Sequence, residues 1–367
     1  MATSKTGSTA SALLAALPDS PDSYPQKLDL VRSCALLIGL DAAAYRAASF
    51  LDDRILAPAT VGAWVPLEQV VAAARSSRNA RPLHYILHTG HVGSTLLSRL
   101  LETTGNVLAL REPLPLRTLA EASDSVGQPE SLQSPAQFEA LLETFTRLWS
   151  RGYTSTHSVV LKATSAAARI APALLRRDPG ARAVYLNLRA EPYLATLLAG
   201  PNSAVDLRGH GPERMRRVQQ RLRAPTQPLH ALTHGELAAM SWLAESLTQH
   251  EVLAQAPDRA LAVDFDDLLA DMPGVMARVA AHFALQTGPG WLGQLASDPA
   301  LTRYSKSPDH DYSPAFRAQV LAHARQEHEQ EIHRGLTWLD THARAETAVA
   351  RVLHASAAQG SSAQIRK

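Results

Sequence analysis

The chain has 367 residues, with 36 Lys and Arg against 34 Asp and Glu and a formal net charge of +2, so no global field points to nucleic acid or a membrane surface as partner. Cys34 is the single cysteine, which excludes an intrachain disulfide framework, and no apolar run approaches the roughly 20 residues that span a bilayer. Apolar residues make up 46% of the chain, an ordinary globular content, and a short apolar stretch at 12–17 is cut by Pro18-Asp19 without a charged region or cleavage pattern, so the expected compartment is the cytoplasm.

Residues 1–24 are rich in Ser, Ala and Pro and are expected to be disordered. Apolar positions at helical spacing over 28–55 and 66–74 predict an α-helical N-terminal extension, residues 25–80, closed by the polar stretch 76–81. From residue 83 onward short apolar runs alternate with helical patterns. Strands are predicted at 85–88, 107–110, 158–162, 183–188 and 261–264. Helices are predicted at 94–104 (stopped by Gly105), 137–149, 166–177 (ended by Asp178-Pro179-Gly180), 229–255, and after the last strand through Phe283. This alternation predicts an α/β fold of three layers, with a central parallel sheet flanked by helices, spanning residues 81–357 and followed by a flexible tail at 358–367.

In such sheets ligands sit beyond the carboxyl ends of the strands. After the first strand the chain reads Thr89-Gly90-His91-Val92-Gly93-Ser94-Thr95. Gly90 and Gly93 let the backbone turn tightly and bring its N–H groups to an anion, the following helix adds unpaired amides, and Ser94 and Thr95 add hydroxyls. No Lys follows Gly93, so the triphosphatase pattern Gly-x-x-x-x-Gly-Lys-Ser/Thr is not met. The second strand is followed by Arg111-Glu112-Pro113, the third ends at Lys162, the fourth leads into Arg189-Ala190-Glu191-Pro192, and the fifth ends in Asp264-Phe265-Asp266-Asp267. A carboxylate, a compact cation and a bidentate anion clamp thus converge on the edge that carries the phosphate loop.

This ordered set resembles the P-loop-type sulfotransferases that use 3′-phosphoadenylyl sulfate (PAPS), over roughly residues 83–310. Gly90-His91-Val92-Gly93-Ser94-Thr95 followed by two leucines matches the family's 5′-phosphosulfate loop, and Arg189 with Pro192 matches its 3′-phosphate site. The resemblance implies Glu112 as the base, with Lys162 and His91 stabilising charge on the leaving oxygen. It implies PAPS as co-substrate and needs no metal. The chain departs from the family pattern at His91, where Lys or Arg is usual, and at Leu197, where the 3′-phosphate serine falls. Thr196 or Ser203 is the expected substitute, and Lys306, with Arg303, occupies the place of a late basic loop. The charged imidazolium of His91 is the expected competent form. The acceptor is expected to be a small molecule, saccharide or lipid bearing a hydroxyl or amine. Nucleic acid and a membrane span are not expected, and an oligomer is left open.

The segment 206–223 carries Arg208, Arg214, Arg216, Arg217, Arg221 and Arg223, and reads either as a mobile basic lid or as a solvated helix face. His84, His88 and His91 lack a Cys or second ligand pair, so a metal site is not read from them. Asp264, Asp266 and Asp267 read as helix-capping, and Trp242 and Trp291 as core or acceptor wall. Two other functions compete: a P-loop kinase-like enzyme, which the missing lysine disfavours, and a non-catalytic nucleotide-binding protein on the same fold.

Overall fold

The computed structural model describes residues 2–223, 226–295, 303–304, 307–311 and 314–361. Three strands lie near the N-terminus: β1 (Ser23–Asp29), β2 (Cys34–Gly39) and β3 (Gly62–Pro66). They pair antiparallel in the order β1-β2-β3. Five more follow: β4 (Leu83–His88), β5 (Val107–Arg111), β6 (Ser158–Lys162), β7 (Ala183–Asn187) and β8 (Ala260–Asp264). These form one all-parallel sheet in the order β5-β6-β4-β7-β8.

The parallel sheet is covered on both faces, as its unbroken apolar strands require. Alternate residues serve opposite faces. Ile86, Val160, Val184 and Leu186 pack with the helix Ser94–Glu102 and the long helix His234–Gln255. Tyr85, Leu87, Leu161 and Tyr185 pack against the helix Pro135–Trp149 and the N-terminal residues Tyr24, Leu28 and Ile38. The helix His234–Gln255 opens on a capping box between Thr233 and Glu236. It crosses the helix Glu329–Ala345 at a glycine pair, where a Cβ on Gly235 would lie 1.8 Å from the Glu331 carbonyl oxygen. Trp242 and Trp291 are core residues: their indole N–H groups donate to the Leu188 carbonyl at 2.9 Å and to Thr103 Oγ1 at 2.8 Å.

The N-terminal region differs from the expectation. Of the stretch 1–24, expected to be disordered, Ala2–Ala16 form a helix, and the buried Arg151 guanidinium binds the carbonyls of Leu17, Ser20 and Ser23. Residues 25–80 are not a helical extension but a small α+β unit, with the helix Leu67–Arg75 after the antiparallel strands. Short apolar runs such as Ala35-Leu36-Leu37-Ile38 satisfy a helical and a strand period alike, and pairing with β1 and β3 decides the outcome. At the other end the helix Thr347–Ser361 runs into the stretch expected to be a flexible tail, and residues 362–367 lie outside the described residues.

Chain order sets where a ligand can sit. From central β4 the chain passes to β5 at one edge, returns through β6, then crosses to β7 and β8 on the other side of β4. The loop after β4 therefore lies at the topological switch point, the crevice that such sheets leave open.

Candidate active site

Left-handed backbone shapes the loop after β4. Gly90, His91 and Gly93 have φ of +98°, +55° and +69°. At Gly93 a Cβ would meet the Phe265 ring at 2.1 Å, so only glycine fits. Gly93 is the N-cap of the helix Ser94–Glu102 and supplies no side-chain cap, which leaves the first amides directed at the crevice. Thr95 Oγ1 is buried with no hydrogen-bond partner, as is Thr89 Oγ1. Orphaned hydroxyls beside an uncapped helix start suit an anion.

Two neighbours brace the loop. The Gly90 N–H donates to His88 Nδ1 at 3.1 Å, while His88 Nε2 lies 2.8 Å from the Ala163 carbonyl, an arrangement that assigns the neutral Nε2–H tautomer. Tyr193 donates its hydroxyl to the Thr89 carbonyl at 3.1 Å, and burial holds its phenol protonated, with a pKa raised to about 12.

Glu112 follows β5 with φ +57°, a left-handed conformation that is costly for a residue with a side chain. Its N–H donates to the Lys162 carbonyl at 2.7 Å and its carboxylate pairs with the Lys162 ammonium. Lys162 is fully buried at the end of β6, with Nζ 5.4 Å from the centroid of the Phe50 ring. Glu112 and Lys162 are therefore adjacent, as β5–β6 pairing dictates.

Two cavities flank the loop, and both are lined by His91 and Asp206. One, about 510 Å³, opens over the helix start and is walled by Ser94, Thr95, Thr196, Ser203, Phe265 and Arg317 among others. The second, about 640 Å³, contains Glu112, His88, Tyr193 and Phe50. Arg189 lines neither cavity: it stands at the N-terminus of the helix Ala190–Leu198, half exposed and 4.0 Å from Asp266. Asp266 also binds Arg317 at 2.7 Å, and Arg317 Nη2 is buried with no partner. Thr196 returns its hydroxyl to the Pro192 carbonyl at 2.7 Å and lines the first cavity. Lys306 lies outside the described residues, and Arg303 falls in the short strand Arg303–Tyr304.

The segment read as a lid is docked by its own arginines. Arg217 is buried against Glu245 at 2.8 Å, Arg221 binds Glu251 at 2.6 Å, and Arg214 binds Asp206 at 3.2 Å. Glu245 and Glu213 hold the buried Arg217 guanidinium protonated despite its burial. Arg214 and Arg216 line the second cavity, whereas Arg217 is structural.

His84 belongs to the core: its Nδ1 accepts the Arg182 N–H at 3.2 Å and its ring stacks on Phe283 at 5.0 Å. Among the described residues no three His, Cys, Asp or Glu side chains gather as a metal site. Asp264 caps the helix Phe265–Ala270, accepting the Asp266 and Asp267 N–H groups, in keeping with its sequence. Burial and the Asp266 charge raise its pKa to about 6.

Sequence reasoning missed Phe50, His88, Tyr193 and Arg317. His88 had a signal, standing two residues before Gly90, but Phe50 and Arg317 are far from the loop in sequence and had none.

No family model and no curated protein matches the chain. Among solved structures, it is similar to the sulfotransferase domain from the curacin biosynthetic pathway, at 14% identity over 71% of this chain and 98% of that one, with a TM-score of 0.39. The sulfotransferase domain of the Synechococcus PCC 7002 olefin synthase gives 12% identity over 76% and 96%, with a TM-score of 0.39. Sulfotransferase STF1 from Mycobacterium tuberculosis H37Rv gives 13% over 71% and 81%, with a TM-score of 0.36. Overlaps this distant transfer neither chemistry nor substrate. The functional reading rests on this chain's own residues.

Proposed function

We propose that the protein is a sulfotransferase that moves a sulfuryl group from PAPS to a hydroxyl or amine of an acceptor. The observation that carries this reading is the pair of cavities meeting at His91, one over an uncapped helix start and the other containing a carboxylate paired with a buried lysine.

The residues present fit such a donor. The loop amides, Ser94 and the orphaned Thr95 hydroxyl suit its 5′-phosphosulfate, and the first cavity suits its nucleoside. Arg189 and Arg317, which both face Asp266, are the cations at hand for the 3′-phosphate. PAPS supplies an activated sulfuryl group on a phosphate leaving group. The acceptor oxygen or nitrogen forms a bond to sulfur as the bond from sulfur to the 5′-phosphate oxygen breaks, and the acceptor proton passes to Glu112. Such loose, in-line displacements ask the protein mainly for position and charge. Glu112, paired with Lys162, lines the second cavity, and His91, at the junction, stabilises charge on the departing oxygen.

Thermal unfolding with PAP, with AMP, and with ATP plus magnesium tests this reading. A ligand at 100 times its Kd stabilises by about 2.7 kcal/mol. A shift with PAP that AMP does not reproduce, and that Arg189→Ala or Arg317→Ala diminishes, supports the PAPS reading. A shift with magnesium–ATP alone replaces it with the kinase alternative, and PAP binding without transfer to any acceptor replaces it with the non-catalytic one.

A further inference from the structure

We propose that the cavity on the Glu112 side takes an uncharged, hydroxyl-rich acceptor of saccharide or cyclitol type, packed against Phe50 of the N-terminal unit. The inference rests on the sulfotransferase reading for what happens to that acceptor, but not for its binding.

The wall chemistry makes the case. Arg117 pairs with Glu121 at 3.0 Å, Arg169 with Asp124 at 2.8 Å and with Glu213 at 3.4 Å, and Arg214 with Asp206 at 3.2 Å. All of these side chains line the cavity. Arg216 and Glu130 line it as well and make no ion pair among the described residues. Six carboxylates, Glu112 among them, and four guanidiniums therefore face the space, most of them paired with one another.

An alkyl or steroid acceptor would have to strip water from these charges with nothing to replace it. A polyanion would meet six carboxylates on the wall, counting Glu112. A hydroxyl group suits both kinds of neighbour, because it donates to a carboxylate and accepts from a guanidinium. Arg214 gives a specific sign of an incomplete set: nine-tenths buried, it lines the cavity with its Nε unpartnered. Apolar surface also contributes to the wall, from Phe50, Leu197 and Ala166. Phe50 borders the cavity, its ring held between the Arg54 guanidinium at 3.6 Å and Lys162 Nζ at 5.4 Å from its centroid. A ring edge among paired charges matches a sugar, which presents C–H groups on one side and hydroxyls around its rim.

The N-terminal unit is fixed where this role needs it. Leu51 N–H donates to the Arg111 carbonyl at 2.6 Å, and the buried Arg111 guanidinium donates to the Tyr45 and Ala48 carbonyls at 3.1 and 2.9 Å. The same guanidinium binds Ser98 and Glu102 on the phosphate-loop helix. Arg99 of the same helix adds a bond to Ser49 Oγ at 2.9 Å, so Phe50 is positioned relative to the loop by both arginines.

Calorimetric titration of the full chain tests the proposal, with and without saturating PAP, using maltose, lactose and myo-inositol against dodecanol, p-nitrophenol and a heparin disaccharide. The expected result is binding of a neutral polyol, weakened about tenfold by Phe50→Ala and by Arg214→Gln, with PAP affinity unchanged in the Phe50 variant. Failure of all three polyols, preference for dodecanol, the phenol or the heparin disaccharide, or polyol binding indifferent to both substitutions overturns it. Polyol binding without PAP binding keeps the acceptor class and removes the sulfuryl donor. PAP binding without polyol binding does the reverse.

Discussion

Glu112 and Lys162 are joined twice, by a 2.7 Å bond from the Glu112 N–H to the Lys162 carbonyl and by the ion pair of their side chains. The backbone bond holds Glu112 in its left-handed conformation, and the ion pair aims its carboxylate. Lys162 has no exposed side-chain surface, so the pair is also a buried charge that must stay matched.

Glu112→Gln is therefore expected to lower the rate of transfer by about 10²- to 10⁴-fold, the usual worth of a general base. It should also destabilise the fold by about 3 kcal/mol, because a buried ammonium loses the carboxylate charge it is paired with. Adding Lys162→Met should restore much of the stability and none of the activity. Urea denaturation and a transfer assay on the three variants read both effects, and a double variant that regains activity would remove Glu112 from the chemistry.

Gly93→Ala should be far more damaging than Gly105→Ala. Both glycines have positive φ, but a Cβ at 93 meets Phe265 whereas nothing lies within 4 Å of one at 105. The second substitution should cost about 1 kcal/mol and the first at least twice that, together with the thermal shift given by PAP. Equal melting temperatures for the two variants would contradict the close approach.

Asp264 and His84 give stability opposite pH dependences. The folded pKa of Asp264 is raised to about 6 from 3.8, so the fold is favoured while Asp264 is protonated and loses that advantage as pH rises from about 4 through about 6. Burial and Arg182 lower the pKa of His84 from 6.5 to about 4, so its contribution is present above pH 6.5 and lost as pH falls toward 4. Asp264→Asn, which keeps a capping oxygen, should stabilise the protein at pH 7 by at most about 3 kcal/mol and change little at pH 4. Denaturation midpoints of wild type and variant at pH 4, 5, 6 and 7 check the sign.

His91→Lys keeps a positive charge at the junction of the cavities across the working pH range. If the imidazolium is the competent form, wild-type activity falls as pH rises and the variant loses that alkaline limb. Superimposable pH–rate profiles would take His91 out of the charge-stabilising role.

Much of the frame was legible. The strand 158–162 is found at its expected bounds, and the other sheet strands differ by a residue or two. A buried parallel strand must be apolar throughout and must end in a turn, a local pattern that needs no knowledge of partners. That Glu112 and Lys162 stand on one edge of the sheet was expected, since both end parallel strands, but their direct pairing follows from the β5–β6 neighbourhood that only the fold shows. The pairing of Arg217 with Glu245 was not legible, because they are far apart in sequence and only packing of the helix Gly211–Gln219 on His234–Gln255 joins them. That packing turns Arg217 and Arg221, read as part of a lid or of a solvated helix face, into struts against the long helix.

By itself the sequence determined the strand–loop–helix unit, expected at 85–104 and found at 83–102, because backbone periodicity and glycine placement are local properties. Tertiary structure alone decided that the N-terminal segment is a sheet unit delivering Phe50, that Arg317 lines the cavity over the helix start and that two cavities share His91 and Asp206. Each of these depends on contacts between segments distant along the chain, whose energies come from burial and charge pairing that no local pattern records.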